Sequence, residues 1–117
     1  MRRLILAALL LALAQPAWAA PERRCGWLHN PSPGNWWLTD RDGDWILATQ
    51  GRDSVPGMEK LPAFSPRDWV RTNGFYGHGC ACMVMARGAR LGDVVQLIST
   101  EILPLARCRA DRALPPP

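Results

Sequence analysis

The segment from Tyr76 to Met85, YGHGCACMVM, contains the residues of this chain that are best suited to chemistry. Its soft and borderline donor groups come from His78, Cys80, Cys82, Met83 and Met85. Sulfur and imidazole ligands of this kind are typical of Cu(I) sites, whereas oxidised cysteines would serve as structural cross-links. A redox pair is disfavoured, because thioredoxin-like chemistry uses Cys-x-x-Cys at a helix start. The choice between metal binding and cross-linking depends on where the protein resides.

The first nineteen residues have the layout of a cleavable export signal. Two basic residues precede an apolar run from Leu4 to Ala14, and Ala17-Trp18-Ala19 fits the small-residue cleavage pattern. The apolar run is too short to span a bilayer as a helix, for which about 20 residues are needed. We therefore expect cleavage after Ala19, no membrane insertion afterwards, and a periplasmic or secreted protein.

Export implies an oxidising compartment, so the four cysteines of the chain are expected to form two disulfides. On a strand, Cys80 and Cys82 point to the same face and cannot easily bond to each other. Their partners would be Cys25 and Cys108, and both ends of the domain would be attached to its middle. The sequence leaves the pairing open, with a lean towards Cys25–Cys82 and Cys80–Cys108. The alternative is a copper-binding protein that uses His78 and reduced Cys80 and Cys82.

The exported part, residues 20–117, is long enough for a single small domain. We expect residues 25–113 to fold and residues 114–117 to form a frayed tail. The formal charge of +4 includes Arg2 and Arg3, so the exported part carries only +2. It has no polybasic run of the kind that follows a phosphate backbone, and nucleic acid is therefore not an expected partner.

The clearest element is a β-hairpin within NWWLTDRDGDWILATQG. Strand-forming residues flank the turn sequence Asp-Arg-Asp-Gly, in which Gly43 suits a left-handed conformation. Its aspartates resemble a calcium loop only weakly, because the glycine is misplaced and no glutamate closes the site. A three-residue loop would pair Thr39 with Trp45. In that register the two faces of the hairpin carry Trp37, Trp45 and Leu47 on one side and Trp36, Leu38 and Ile46 on the other.

The other elements are predicted from strand-forming runs between turns. Cys25 to Pro33 is a short apolar start followed by turn residues, and residues 51–66 are a long irregular loop. One helical turn at Ser65–Asp68 should lead into a short strand. Further elements are predicted at His78–Met85 and Val94–Ser99, as strands, and around Leu105–Ala113, as a short helix. The fold class is mainly β: a small antiparallel sheet with hairpins, one short helix near the C-terminus, and disulfide staples.

Tryptophan is unusually frequent, and the simplest role of such large rings is to fill the core of a small domain. An exposed tryptophan could instead stack on a sugar ring or enter a partner protein. We therefore take four of them as candidate binding residues, namely Trp36, Trp37, Trp45 and Trp69. The small residues Gly77, Gly79 and Ala81 form one side of the central strand. They suggest that a large flat group, such as a tryptophan, approaches there.

Three blocks of the sequence resemble a known family of small exported bacterial proteins. They are RCGWLHNPSPGNWWLTDRDGDWILATQG, VRTNGFYGHGCACM and LPLARCRADRALP. The family is domain of unknown function 4087, and the resemblance implies an exported protein of Gram-negative bacteria with no assigned activity. The family's marked positions correspond here to Cys25, Gly26, Trp27, Asn35, Asp40, Asp42, Gln50, Gly51, Asn73, Gly74, Cys80, Cys82 and Cys108. His78 departs from the tyrosine of the family, which weakens the metal hypothesis.

The sequence thus predicts a binding or structural module without catalysis and without a cofactor. Neither His29 nor His78 belongs to a nucleophile motif or a metal motif that would indicate an enzyme. The partner is unknown. We expect a periplasmic protein or peptidoglycan, bound through tryptophans and the 51–66 loop.

Overall fold

The computed structural model describes residues 20–117, which form a six-stranded antiparallel sheet and one short helix. The predicted signal peptide lies outside the described residues. The strands are β1 (Glu22–Ser32), β2 (Asn35–Asp40), β3 (Gly43–Ala48), β4 (Trp69–Asn73), β5 (Tyr76–Arg87) and β6 (Val94–Leu103), and the helix is α1 (Leu105–Ala110). Two 3-10 turns, Met58–Lys60 and Pro66–Asp68, lie in the β3–β4 connection. The predicted fold class, including the short C-terminal helix, is confirmed.

The sheet is built around the long strands β1 and β5, which pair from Glu22↔Met85 to Asn30↔Gly77. On its other edge β5 pairs with two strands placed end to end, since β4 pairs with its first residues and β6 with the rest. The strand order is β3-β2-β1-β5-β4, with β6 beside β5. Among residues 20–117, no helix has the length and apolarity needed to cross a membrane.

Strand β1 is longer than the sequence predicted. We expected turn residues after a short apolar start, yet the strand continues to Ser32. Its pairing with β2 shifts register between His29 and Ser32, and Pro31 lies within this irregular stretch. A proline cannot donate an amide hydrogen to the ladder, and it is therefore tolerated at an irregularity of this kind rather than in regular pairing.

The predicted hairpin of β2 and β3 is present, but its register was predicted wrongly. Asp40 pairs with Gly43, so the loop has two residues, and Leu38 rather than Thr39 lies opposite Trp45. The side chain of Asp40 fixes this tight turn, because its Oδ1 accepts hydrogen bonds from the amides of Asp42 (2.8 Å) and Gly43 (3.2 Å). A slip of one residue exchanges the two faces of a strand. Trp45 consequently lies with Leu38 in the core.

The connection between β3 and β4 bridges strands β3 and β6, which lie at opposite edges of the sheet. The Val55 amide donates to the Leu47 carbonyl (2.9 Å), and the Leu97 amide donates to the Pro56 carbonyl (2.8 Å). The turn that precedes β6 also contacts β3 directly, where the Ile46 amide donates to the Gly92 carbonyl (3.0 Å). The sheet therefore closes on itself, and residues 51–66 are an integral part of that closure.

Each face of the curled sheet has its own core. The inner core is fully buried and consists of Leu28, Leu38, Trp45, Leu47, Ala81, Met83, Met85 and Leu97. The outer core, beneath α1, consists of Trp27, Cys80 and Cys108, with Leu103, Leu105 and Leu114 packed against them. Leu114 was predicted to belong to a frayed tail, and this is corrected by its packing on the outer core.

Arg24 covers one end of the inner core. Its guanidinium carbon lies 4.4 Å from the centre of the Trp45 ring, in the geometry of a cation–π contact. The same group donates to Glu22 (2.7 Å), Asp42 (2.5 Å) and Asp40 (3.2 Å). The hydrogen bond to Glu22 and then those to Asp42 and Asp40 raise the pKa of Arg24 against the effect of burial, so the cation remains charged although it is largely covered.

Both disulfides lie on the outer face, with the pairing that the sequence slightly favoured. Cys25 bonds to Cys82, its direct cross-strand neighbour, and joins β1 to β5. Cys80 bonds to Cys108 and holds α1 against the sheet. The central strand therefore carries both links, and they attach segments from the two ends of the described domain.

The first prediction concerns the bond that holds α1. The double variant Cys80→Ser/Cys108→Ser, which leaves no unpaired thiol at this site, should lower the free energy of unfolding by about 2–4 kcal/mol. Urea unfolding at neutral pH measures the change. Ser99→Ala, a change at an exposed serine on β6, is the control and should have no effect. An unchanged midpoint in the double variant would contradict the structural role of this disulfide.

The second prediction concerns the closure at Gly57. Gly57 has φ +99°, and a Cβ there would overlap the Leu97 carbonyl oxygen. Gly51 also has a positive φ, +81°, but has open space around it. Gly51→Ala should therefore cost about 1 kcal/mol of backbone strain, whereas Gly57→Ala should cost about 3 kcal/mol or more because the closure must shift as well. Equal losses in urea unfolding would show that the closure does not depend on Gly57.

Candidate functional site

The structure separates the four candidate tryptophans into three environments. Trp36 and Trp69 line the same cleft, with ring centres 6.3 Å apart. Trp37 stacks on His29 on the outer face of the sheet, with ring centres at 5.3 Å. Trp45 is fully buried. The prediction that Trp45 is a binding residue is therefore wrong, because the register of the hairpin points its side chain into the inner core.

The cleft beside Trp36 and Trp69 is the best candidate site in the described part of the chain. We call it the aromatic cleft, and its volume is about 420 Å³. It is lined by Asn30, Trp36, Leu61, Pro62, Ala63, Phe64, Pro66, Trp69, Arg71 and Phe75. Strands β2 and β4 supply its tryptophans, and the end of the 51–66 loop supplies its opposite wall. The loop and two of the tryptophans therefore lie together.

Gly79 of β5 makes room for the floor of the aromatic cleft. Phe64 lies against Gly79, where any Cβ would overlap its ring. Phe64 also packs on Trp69, with ring centres 4.7 Å apart. The large flat group expected beside this row of small residues is therefore a phenylalanine, with Trp69 as the cross-strand partner of Gly79.

The rim of the aromatic cleft is the turn between β4 and β5. The indole Nε1 of Trp69 donates to the Phe75 carbonyl oxygen (3.0 Å), which fixes the turn next to the cleft. The Phe75 side chain is 80% exposed, although it is large and apolar. The Arg71 guanidinium lies 4.5 Å from the centre of its ring. An exposed phenylalanine fixed above a cleft is typical of a contact surface rather than of a core.

A second cleft, which we call the polar cleft, adjoins the first at Trp36 and Leu61. Its volume is about 650 Å³. It is lined by Pro33, Gly34, Trp36, Ala48, Thr49, Gln50, Gly51, Arg52, Ser54, Met58, Glu59 and Leu61. Its lining contains more hydroxyl, amide and charged side chains than that of the aromatic cleft, together with one tryptophan.

Two asparagines hold the ends of the strands at which the clefts meet. Asn30 is buried, and its Nδ2 donates to the carbonyls of Ser32 (3.0 Å) and Asn35 (2.7 Å). Asn35 accepts from the Gln50 amide (2.9 Å) through its Oδ1. These bonds connect the β1–β2 turn to the end of β3, and they fix Trp36 between the two clefts.

A row of rings crosses the outer face of the sheet. His29 and His78 are cross-strand neighbours with ring centres 5.8 Å apart, and His78 meets Trp27 edge-on at 5.3 Å. Burial, assisted by the charge of the partner histidine, lowers the pKa of His29 against an opposing effect of Asp44. Burial and then the nearby charge of Arg109 lower the pKa of His78. Both rings are therefore neutral at pH 7.

The copper hypothesis required free thiols at Cys80 and Cys82. The sulfur atoms of both residues are bonded to other cysteines, so neither is a thiolate ligand. Among residues 20–117, no group of three or more histidine, cysteine or acidic side chains is arranged to hold a metal ion. The donors that the sequence brought together thus act as cross-links and packing groups in this fold.

Comparison with known families agrees with the resemblance seen in the sequence. A family model described as Protein of unknown function (DUF4087) matches residues 19–115. The chain belongs to this family. No curated protein and no solved structure matches the chain. The DUF4087 family has no assigned activity in its description, so a function for this member has to be argued from its own geometry.

Sequence reasoning missed two aromatic residues of this DUF4087 member that belong to the site. Phe64 lay in the irregular loop, and its position over Gly79 depends on the path of that loop. Phe75 follows the Asn73-Gly74 turn signal, and a large apolar residue in a turn was a visible sign of exposure. The two residues join Trp36 and Trp69 only after the sheet has curled.

The third prediction follows from the neutral histidines. A histidine with a lowered pKa in the folded state binds a proton more readily when the chain is unfolded. Its contribution is therefore complete above the unfolded pKa near 6.5 and is lost as the pH falls below that value. The double variant His29→Gln/His78→Tyr should lose less unfolding free energy between pH 7.5 and pH 5.5 than the wild type. Equal losses in urea unfolding would contradict the burial of the two rings.

Proposed function

We propose that this exported protein is a binding module without catalysis, and that its aromatic cleft binds apolar side chains of another protein. The observation that carries the proposal is the group of Trp36, Trp69 and exposed Phe75 around one concave site. Aromatic anchors in a desolvated pocket supply much of the affinity of protein interfaces. The volume of the cleft is also within the range that is usual for ligand-binding pockets.

The chemistry of the lining favours a protein segment over a glycan in the aromatic cleft. Among the described residues that line it, Arg71 is the only charged one, and the Asn30 amide already donates to two backbone carbonyls. A sugar ring would bring many hydroxyl groups into a site with few polar partners for them, and each buried group left unpaired costs about 1–3 kcal/mol. Apolar side chains can be buried there without hydrogen-bond partners.

The disulfides are compatible with a periplasmic or extracellular location. Export is part of our proposal, because it rests on the sequence pattern of residues 1–19. The partner is accordingly expected to be a protein of the same oxidising compartment. A frame held by two covalent links suits a site that must remain in shape without cytoplasmic chaperones.

A second candidate function is favoured by the polar cleft. Trp36 forms one wall of that cleft, and Gln50, Arg52 and Glu59 are among its polar lining residues. A tryptophan face with amide and charged groups around it is the arrangement that would stack a sugar ring and bind its hydroxyl groups. The corresponding ligand would be a glycan strand of peptidoglycan.

The fourth prediction tests the two candidates with separate probes. Peptides selected from a phage-displayed library on the mature protein should bind with a Kd that Phe75→Ala weakens about tenfold or more. The folded protein should keep its stability, since the Phe75 side chain is largely exposed. Val95→Ala, which removes an exposed apolar side chain on β6 outside both clefts, is the matched control and should leave the Kd unchanged. Isothermal titration calorimetry measures both.

Soluble muropeptides provide the second arm of the experiment. Binding that is lost in Gln50→Ala and kept in Phe75→Ala would support the glycan function of the polar cleft. Selected peptides whose affinity is the same for wild type and Phe75→Ala would refute the protein-binding function of the aromatic cleft.

A further inference from the structure

We propose that the partner segment binds as an additional β-strand along β4, with alternate side chains in the aromatic cleft and a carboxylate at Arg71. This inference rests on the proposed protein-binding function and specifies how the partner is held. Addition of a strand to a sheet edge takes its affinity from main-chain hydrogen bonds and its specificity from pockets for alternate side chains.

Strand β4 has an open edge. In the described part of the chain, this strand pairs with β5 on one side and ends the sheet on the other. Within residues 20–117, no backbone hydrogen bond from a turn or loop reaches Trp69–Asn73. The outward N–H and C=O groups of an edge strand form a template for another chain.

In contrast to the edge of β4, the edges of the outer strands β3 and β6 are partly covered. The Leu47 carbonyl of β3 accepts from Val55, and the Leu97 amide of β6 donates to Pro56, so the 51–66 loop occupies these two edges. The β4 segment WVRTN contains no proline and only one charged residue, Arg71. Prolines and inward charges are the usual means by which proteins block an edge. In this fold the 51–66 loop blocks the edges of β3 and β6, whereas the edge of β4 has only Arg71 to protect it.

The position of the aromatic cleft agrees with strand addition. Trp69 and Arg71, two residues apart on β4, both line the cleft, and Phe75 stands at the end of the same strand. Side chains of neighbouring strands at the same level lie on the same face. A segment added beside β4 would therefore direct every second side chain towards Trp69, Phe64 and Phe75, and the intervening ones away from them.

Charge defines the chemistry of the partner further. Arg71 is exposed and lies over the Phe75 ring, and none of the residues from 20 to 117 that line the cleft is acidic. Its guanidinium is free to bind a carboxylate in a bidentate manner. The partner is thus an extended segment with apolar side chains at alternate positions and an acidic side chain or a terminal carboxylate beside them.

The fifth prediction uses the selected peptides as probes, because the natural partner is unidentified. Each peptide is resynthesised with single N-methyl groups on successive amides. Methylation at alternate positions should weaken the Kd about tenfold, while methylation at the intervening positions should have little effect. In the protein, hydrogen exchange of β4 amides that exchange rapidly in the free state should slow about tenfold or more on peptide binding.

The outcomes distinguish binding by strand addition from protein binding in the aromatic cleft by another mode. Alternating sensitivity together with protection of β4 amides would support strand addition, and Arg71→Gln should then weaken the acidic peptides more than their amide analogues. Peptides that depend on Phe75 but tolerate all N-methyl groups, with β4 exchange unchanged, would overturn strand addition and leave the protein-binding function standing. Peptides that are insensitive to Phe75→Ala would overturn both.

Discussion

The pairing of β1 with β5 is the constraint on which the rest of this structure depends. It spans the register from Glu22↔Met85 to Asn30↔Gly77 and places Cys25 directly opposite Cys82. Because side chains alternate along β5, the same strand presents Cys80 and Cys82 to the outer face and Ala81, Met83 and Met85 to the inner core. The outer face is then available for α1 and the second disulfide, and the inner face for the packing of Leu28 and Trp45.

The same constraint creates the candidate site. Strand β5 extends past the end of β6, and its first residues pair with β4, which leaves β4 as an open edge beside a row without side chains at Gly77 and Gly79. The 51–66 loop is hydrogen-bonded to β3 and β6 before it reaches this place, and it then puts Phe64 against Gly79. One loop therefore contributes both to stability and to the binding surface. Its first half closes the curled sheet, and its second half forms one wall of the aromatic cleft.

Much of the fold could be predicted from the sequence because its signals are local. The hairpin at Asp40–Gly43, the strand through Cys80 and Cys82, and the helix near Cys108 follow from turn chemistry and residue preference. The same-face geometry of two cysteines in a strand restricted their partners to Cys25 and Cys108. Register was not predictable in this way. Both faces of the hairpin are apolar, so the pattern did not indicate which register buries Trp45, and the tight turn formed by Asp40 decided it.

By itself, the sequence indicated that both ends of the domain are cross-linked to its middle strand, that the fold is mainly β, and that tryptophans are unusually frequent. Only the tertiary structure decided which aromatic groups are available for binding. Trp36 and Trp69 come together with Phe64 and Phe75 because the sheet curls and the loop crosses it, and these contacts join residues far apart in the chain. Alternation along a strand states which side chains share a face, but solvent exposure depends on what covers that face, and this is a property of the whole fold.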